Sequence, residues 1–184
     1  MVAAMTKASM ILIAALGLAG CEGDGSPGAT AELKALGGSG VAGKATFTQQ
    51  GDKVQVAAEL TGLSPGKHGF HIHEFGDCSA PDGKSAGDHF NPQGHQHGAP
   101  GAGAHPGDLG NIEADANGRA TLSLVLDTIT LDTGTLGILG RGLIVHEKAD
   151  DLVSQPVGEA GGRVACAVIT ADEGDTQPVV KAPS

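Results

Sequence analysis

Apolar and polar residues alternate over short stretches, and no stretch beyond the first 20 residues keeps a helical period. Gly69–Glu74 (GFHIHE) alternates cleanly, and Val54–Leu60 (VQVAAEL) alternates in part behind a Gly51-Asp52 turn. Arg119–Leu126 (RATLSLVL) sets Thr121, Ser123 and Val125 opposite Leu122, Leu124 and Leu126. A period of two belongs to a strand with one buried face. Further strands are predicted at Ala31–Leu36, Val41–Phe47, Leu109–Ala114, Thr128–Leu131, Gly142–Val145 and Arg163–Thr170, with a strong turn at Asp115-Ala116-Asn117-Gly118. Roughly eight short strands with turn residues between them predict an all-β sandwich or barrel. Two stretches stay outside the pattern, about Phe75 to Pro106 and Asp150 to Gly162. An irregular loop of ~30 residues is uncommon in a compact domain and needs something to organise it.

Composition sharpens this picture. The chain of 184 residues has 31 Gly, four Phe, no Trp and no Tyr, so its core must come from Val, Leu, Ile and Ala. Eleven basic against 21 acidic residues give a net charge of −10, which gives no support for nucleic-acid binding, since that needs a basic face.

The first 20 residues carry one charge, Lys7, ahead of the apolar run Met10–Ala19. That run is too short to cross ~30 Å of hydrocarbon and has the form of a secretory signal. The break Leu18-Ala19-Gly20-Cys21 resembles the lipobox of bacterial lipoproteins, whose cysteine becomes lipidated and N-terminal after cleavage. The expected division is a signal peptide over 1–20, a lipidated flexible tether over 21–29, one domain over 30–171 and a tail over 172–184. Glu22 after the cysteine favours an outer-membrane anchor facing the periplasm if the cell is Gram-negative. Loss of Lys7 would leave 10 basic against 21 acidic residues, a net charge of −11. If Cys21 is acylated, Cys78 and Cys166 remain as an even pair for an oxidising compartment. A bridge between them spans 88 positions, a closure worth about 4–5 kcal/mol by chain entropy.

The candidate chemistry lies in the irregular stretch. Seven of the eight histidines fall between Gly66 and Gly110: His68, His71, His73, His89, His95, His97 and His105; the eighth, His146, follows Leu143-Ile144-Val145. A packed core has no use for so many imidazoles, and neutral imidazole is the commonest side-chain metal ligand. His71 and His73 share one strand face, the beginning of a nitrogen site that suits Cu(II). His89, His97, His105 and Asp108 supply three nitrogens and an oxygen, a set that suits tetrahedral Zn(II).

GFHIHEFGDC, DHFNP, HGAP, HPGDLGN, LIVHEKADD and GGRVACAVI, in this order, resemble the copper/zinc superoxide dismutase family over about residues 30–170. The resemblance implies an eight-stranded Greek-key β-sandwich or barrel, with a long metal-binding loop and a second short loop over the site. It implies copper on His71, His73, His89 and His146, zinc on His89, His97, His105 and Asp108, and His89 as the catalytic histidine shared by both metals. Asp150 stands where the family has a carboxylate linking a copper ligand to a zinc ligand, and Arg163 where it has the arginine that receives the anion. The implied reaction is dismutation of superoxide. A net charge of −11 opposes that anion, yet the Debye length of ~8 Å leaves capture to the local field of Arg163 and copper; Lys148 beside His146 could add to it. A homodimer is left open. The alternative is a non-catalytic copper/zinc-binding lipoprotein on the same fold.

His68 is expected to be a structural hydrogen-bonding residue and His95 a solvated loop residue. Ser79–Asp88 is longer than in short eukaryotic-type members and resembles the bacterial branch. The loop Asp151–Gly162 is short and free of lysine. Ala167 occupies a place that is often glycine.

Overall fold

Alternation turns every second side chain of each strand toward a shared interior. In the computed structural model, which describes residues 28–172, it produces nine strands. They are β1 (Gly28–Ala35), β2 (Ala42–Gln50), β3 (Lys53–Thr61), β4 (Gly66–His73), β5 (Asp108–Ala114), β6 (Ala120–Leu126), β7 (Gly142–His146), β8 (Arg163–Val168) and β9 (Thr170–Ala171). The leader, Cys21, nearly all of the tether and nearly all of the tail lie outside the described residues. β1 already includes Gly28 and Ala29, which pair with Thr48 and Phe47.

All strand pairs are antiparallel, in the order β2-β3-β6-β5-β4-β7-β8-β1-β9, and β1 also pairs with β2. Eight strands therefore close a barrel, and β9 prolongs β8 along β1. β4, β5 and β6 neighbour one another in chain order, while β3 lies beside β6 and β7 beside β4. This is the expected Greek-key order. The interior is filled by Phe47, Val54, Val56, Leu60, Phe70, Ile72, Ile112, Leu143, Val145 and Ile169, all at most 2% exposed.

Two strand expectations change. Thr128–Leu131 forms no strand; Thr130 makes an isolated bridge to Gly137. Asp132 Oδ1 accepts from Thr130 Oγ1 (3.1 Å) and from the Gly134 N–H (2.7 Å), which turns the chain before a ladder can form. Its apolar residues Ile129 and Leu131 still enter the core. Arg163–Thr170 is interrupted at Ile169, whose N–H donates to the Arg141 carbonyl (2.9 Å) and leaves β1. Ala167 is buried opposite Leu143, so the methyl is accommodated.

The long connection from β4 to β5 contains a 3-10 turn at Lys84–Ala86 and returns to β4 through a bridge between His73 and His89. A disulfide joins Cys78 in this loop to Cys166 in β8, with Cα atoms 5.8 Å apart.

Candidate metal centre

β4 is buried on both faces, and the two faces do different things. Phe70 and Ile72 point into the barrel, whereas His71 and His73 lie on its outer face beneath the loops, all four fully buried. β7 repeats the division: Leu143 and Val145 belong to the core, and His146 shares the outer face. Gly69, which pairs with Asn111 of β5 and donates its N–H to the Lys148 carbonyl, leaves the space. A Cβ there would lie 2.8 Å from Ala160 Cβ, 3.0 Å from His71 Cε1 and 3.4 Å from His146 Cβ.

The long loop brings His89 back against this face, with its ring centroid 4.0 Å from that of His71 and 5.0 Å from that of His73. His71, His73, His89 and His146 thereby form one group, and His89, His97, His105 and Asp108 a second. Within each group one ligand atom per residue lies within 4.8 Å of all the others. Every sequence-predicted ligand is in one of the groups, and His89 is in both.

Hydrogen bonds indicate which atoms stay free. Asp150 accepts from His71 Nε2–H (2.8 Å) and from His97 Nε2–H (2.9 Å), which leaves both Nδ1 atoms bare. His73 Nδ1–H donates to the Gly87 carbonyl (3.0 Å) and His146 Nδ1–H more weakly to Gly161 (3.4 Å), which leaves both Nε2 atoms bare. These two bare nitrogens face each other at 3.4 Å. In the other group, Asp108 Oδ1 is 2.9 Å from His89 Nδ1, 3.1 Å from His97 Nδ1 and 3.4 Å from His105 Nδ1. Of these, only the His89 contact has hydrogen-bond geometry. His71 Nδ1, His89 Nε2, His97 Nδ1 and His105 Nδ1 are buried nitrogens with no hydrogen-bond partner. Buried polar atoms are rarely left so, and four of them converging fit two metal positions.

Electrostatics agree with this. Burial, then neighbouring imidazoles, pushes His71 and His73 well below the usual histidine range, and burial with His89 brings His146 down to about 4. Burial also lowers His105. Burial acts to raise Asp108, but hydrogen bonds from His89 and the Gly98 N–H outweigh it and hold the carboxylate below its ordinary range. His71, His73, His105 and His146 are thus held toward neutral imidazole and Asp108 toward carboxylate, the protonation states that metal binding requires.

Arg163 is half-buried at the start of β8, and its guanidinium is pinned by the Gly83 (2.7 Å) and Gly87 (2.6 Å) carbonyls. Gly87 also receives His73, so one carbonyl positions both the cation and an imidazole of the first group. His68 is structural, with Nδ1 2.9 Å from the His146 carbonyl and Nε2 2.8 Å from that of Ser64. His95 is tied down more than a solvated loop residue: its Nδ1–H donates to Ala104 (2.9 Å) and Asn91 grips its backbone. It joins neither group.

Residues 41–169 match the family model described as copper/zinc superoxide dismutase (SODC). The chain belongs to the copper/zinc superoxide dismutase family. It is 49% identical over 139 residues to an extracellular superoxide dismutase [Cu-Zn] of Drosophila melanogaster, covering 70% of this chain and 75% of the fly protein. The crystal structure of the clock protein EA4 superposes with a TM-score of 0.71 at 45% identity, over 79% of this chain and 94% of that one. The activity is superoxide dismutation, two superoxide anions and two protons giving dioxygen and hydrogen peroxide, with copper and zinc as cofactors. The family match favours this enzyme over a non-catalytic metal store.

Sequence reasoning missed the amide side chains that hold the loops. Asn111 accepts the Asp150 N–H (2.8 Å) and donates to the Asp150 carbonyl (2.9 Å). Gln155 does the same for His97, at 2.8 and 2.9 Å. Asn111 at the end of HPGDLGN was within a motif already singled out; nothing local marks Gln155.

Proposed function

We propose that copper is held by His71 Nδ1, His73 Nε2, His89 Nε2 and His146 Nε2, and zinc by His89 Nδ1, His97 Nδ1, His105 Nδ1 and Asp108. The observation that carries this is the set of four buried ring nitrogens left without hydrogen-bond partners, each aimed into one of the two groups. Copper, when bound, supplies the one-electron chemistry that superoxide dismutation needs.

The protein's part is to hold donors, receive the anion and keep protons in place. Asp150 fixes the orientation of one imidazole in each group, and such partners also raise ligand basicity. His89 serves both groups, so it must give up the Nδ1 proton that it shares with Asp108 in the metal-free chain. Arg163 presents a fixed positive charge beside His73 and His146, where a small anion can be drawn in against the overall negative charge. His89 is the proton carrier of this reading, since among the described residues it alone belongs to both groups.

Export is supported by the Cys78–Cys166 bridge and by the extracellular designation of the fly relative. The finer reading is a bacterial lipoprotein, cleaved before Cys21 and anchored in the cell envelope by lipid on that residue, and it rests on Leu18-Ala19-Gly20-Cys21. Lipid labelling of the wild type and Cys21→Ser tests it; persistent membrane association of the variant would count against the anchor.

Pulse radiolysis tests the metal assignment. Zinc-only and copper-plus-zinc forms of the oxidised protein are compared for superoxide decay. Fast decay is expected only with copper, and it should be lost in His146→Ala. Copper bound at full occupancy with decay at the spontaneous rate would defeat the assignment.

A further inference from the structure

Three of the four zinc-position residues are anchored by their own main chain. His89 is bridged to β4 at His73, and the next residue, Phe90, donates its N–H to Ile72 (2.8 Å). His105 and Asp108 are tied together by the Asp108 N–H to His105 carbonyl bond (3.0 Å), and Asp108 opens β5. His97 lies in the loop outside any element, and no main-chain group among the described residues bonds to its N–H or carbonyl.

Both groups are taken by one side chain from the second loop. The His97 N–H donates to Gln155 Oε1 (2.8 Å), and Gln155 Nε2–H donates to the His97 carbonyl (2.9 Å) and to that of Val153 (3.0 Å). Two bonds of opposite sense, as in one rung of an antiparallel ladder, set the height and the tilt of the peptide planes that carry the imidazole. The loop that presents Gln155 is rigid in its own right. Asp151 Oδ1 accepts the N–H groups of Val153 (2.9 Å) and Ser154 (2.8 Å), and Gly158 is bonded to both Asp151 and Ser154.

We propose that Gln155 is a positioning residue for zinc, holding the His97 backbone so that Nδ1 stays aimed at the zinc position and zinc leaves slowly. This rests on the zinc assignment given above. It gives the short second loop, which contains no lysine, a role in metal retention. Gln155 is itself exposed, so its loss removes the grip without opening a cavity.

The test uses the full chain loaded with copper and with either zinc or Co(II) in the zinc position. Zinc release to a chromogenic chelator and the visible Co(II) spectrum are measured for wild type, Gln155→Ala, Gln155→Glu and His97→Ala, alongside thermal unfolding of each metal-free protein. Gln155→Ala should release zinc about ten-fold faster, the lower end for loss of a group that orients a metal ligand. It should also shift the Co(II) bands while leaving the metal-free unfolding temperature in place. Gln155→Glu keeps an acceptor for the His97 N–H but sets a carboxylate against the His97 carbonyl, so it should do no better than alanine. Unchanged release and spectrum in both Gln155 variants, with His97→Ala altered, would overturn this proposal alone. A matching fall in metal-free unfolding temperature would overturn it too, as a general loss of fold. A Co(II) spectrum indifferent to His97→Ala would sink the zinc assignment and the proposal with it.

Discussion

Removing the carboxylate of Asp150 should separate the two metals. Its oxygens take His71 Nε2–H at 2.8 Å and His97 Nε2–H at 2.9 Å, with all three side chains fully buried, and Oδ1 also takes the Leu152 N–H at 2.7 Å. Asp150→Ala leaves these donors facing a gap, and each lost charge-assisted bond is worth about 1.5–3 kcal/mol. The two imidazoles will not respond equally. His71 sits in β4 with ladder partners on both sides, Asp108 and Ile144, so its ring loses a partner but not its place. His97 has no ladder, so its ring is freed. Loss of such a partner typically costs 10–100-fold in metal affinity, or about 1.4–2.7 kcal/mol, and most of it should fall on zinc. Copper should be less affected, because nitrogen donors bind Cu(II) more tightly than Zn(II). Competition against a chelator, with both metals quantified on the same sample, checks this. Zinc affinity within two-fold of wild type, or copper lost before zinc, would refute the reasoning.

Other expectations follow from the same geometry. Arg163→Ala should slow superoxide decay about ten-fold, roughly 1.4 kcal/mol of barrier, while copper stays bound; an unchanged rate at full copper occupancy removes its role in anion capture. Gly158 has φ 65°, and an added Cβ would collide with the Asp150 carboxylate and His97 Nε2, so Gly158→Ala should lose zinc readily, as metal analysis after dialysis will show. In the metal-free protein, burial and His89 hold His146 near 4, and burial keeps His71 and His73 well below their ordinary value. An unfolded histidine gains its proton near pH 6.5. Between there and about pH 4 the unfolded chain binds more protons, so stability falls as pH falls. His146 alone accounts for about 3 kcal/mol over that window. Denaturant midpoints of the metal-free protein that stay level from pH 7 to pH 4.5 would contradict this.

Much of the fold was readable because each strand has one apolar face. Arg119–Leu126 and Val54–Leu60 alternate for that reason, and they pair with each other across the barrel wall as β6 and β3. Thr128–Leu131 misled because its apolar residues do reach the core, through a turn stabilised by the Asp132 side chain. The metal residues were readable because ligand chemistry demands particular side chains, and histidines two apart on β4 announce a shared face. The residues that steady them were hidden. An amide side chain is suited to many places, and what makes Gln155 important is a contact across 58 positions of sequence. No local pattern encodes such a distance.

The closure of the barrel constrains when this protein can become an enzyme. β1 is completed by β8 and β9, so residues near 29 wait for partners near 171. At roughly 5–20 residues per second, the ribosome needs on the order of ten seconds to supply them. His146, Arg163 and Cys166 are also among the last described residues to appear. The nascent chain therefore has seven of its eight histidines in place with neither the wall that supports them nor the arginine that serves them. Barrel closure waits for β8 and β9, which delays a redox-active copper site until nearly all of the described residues have been made.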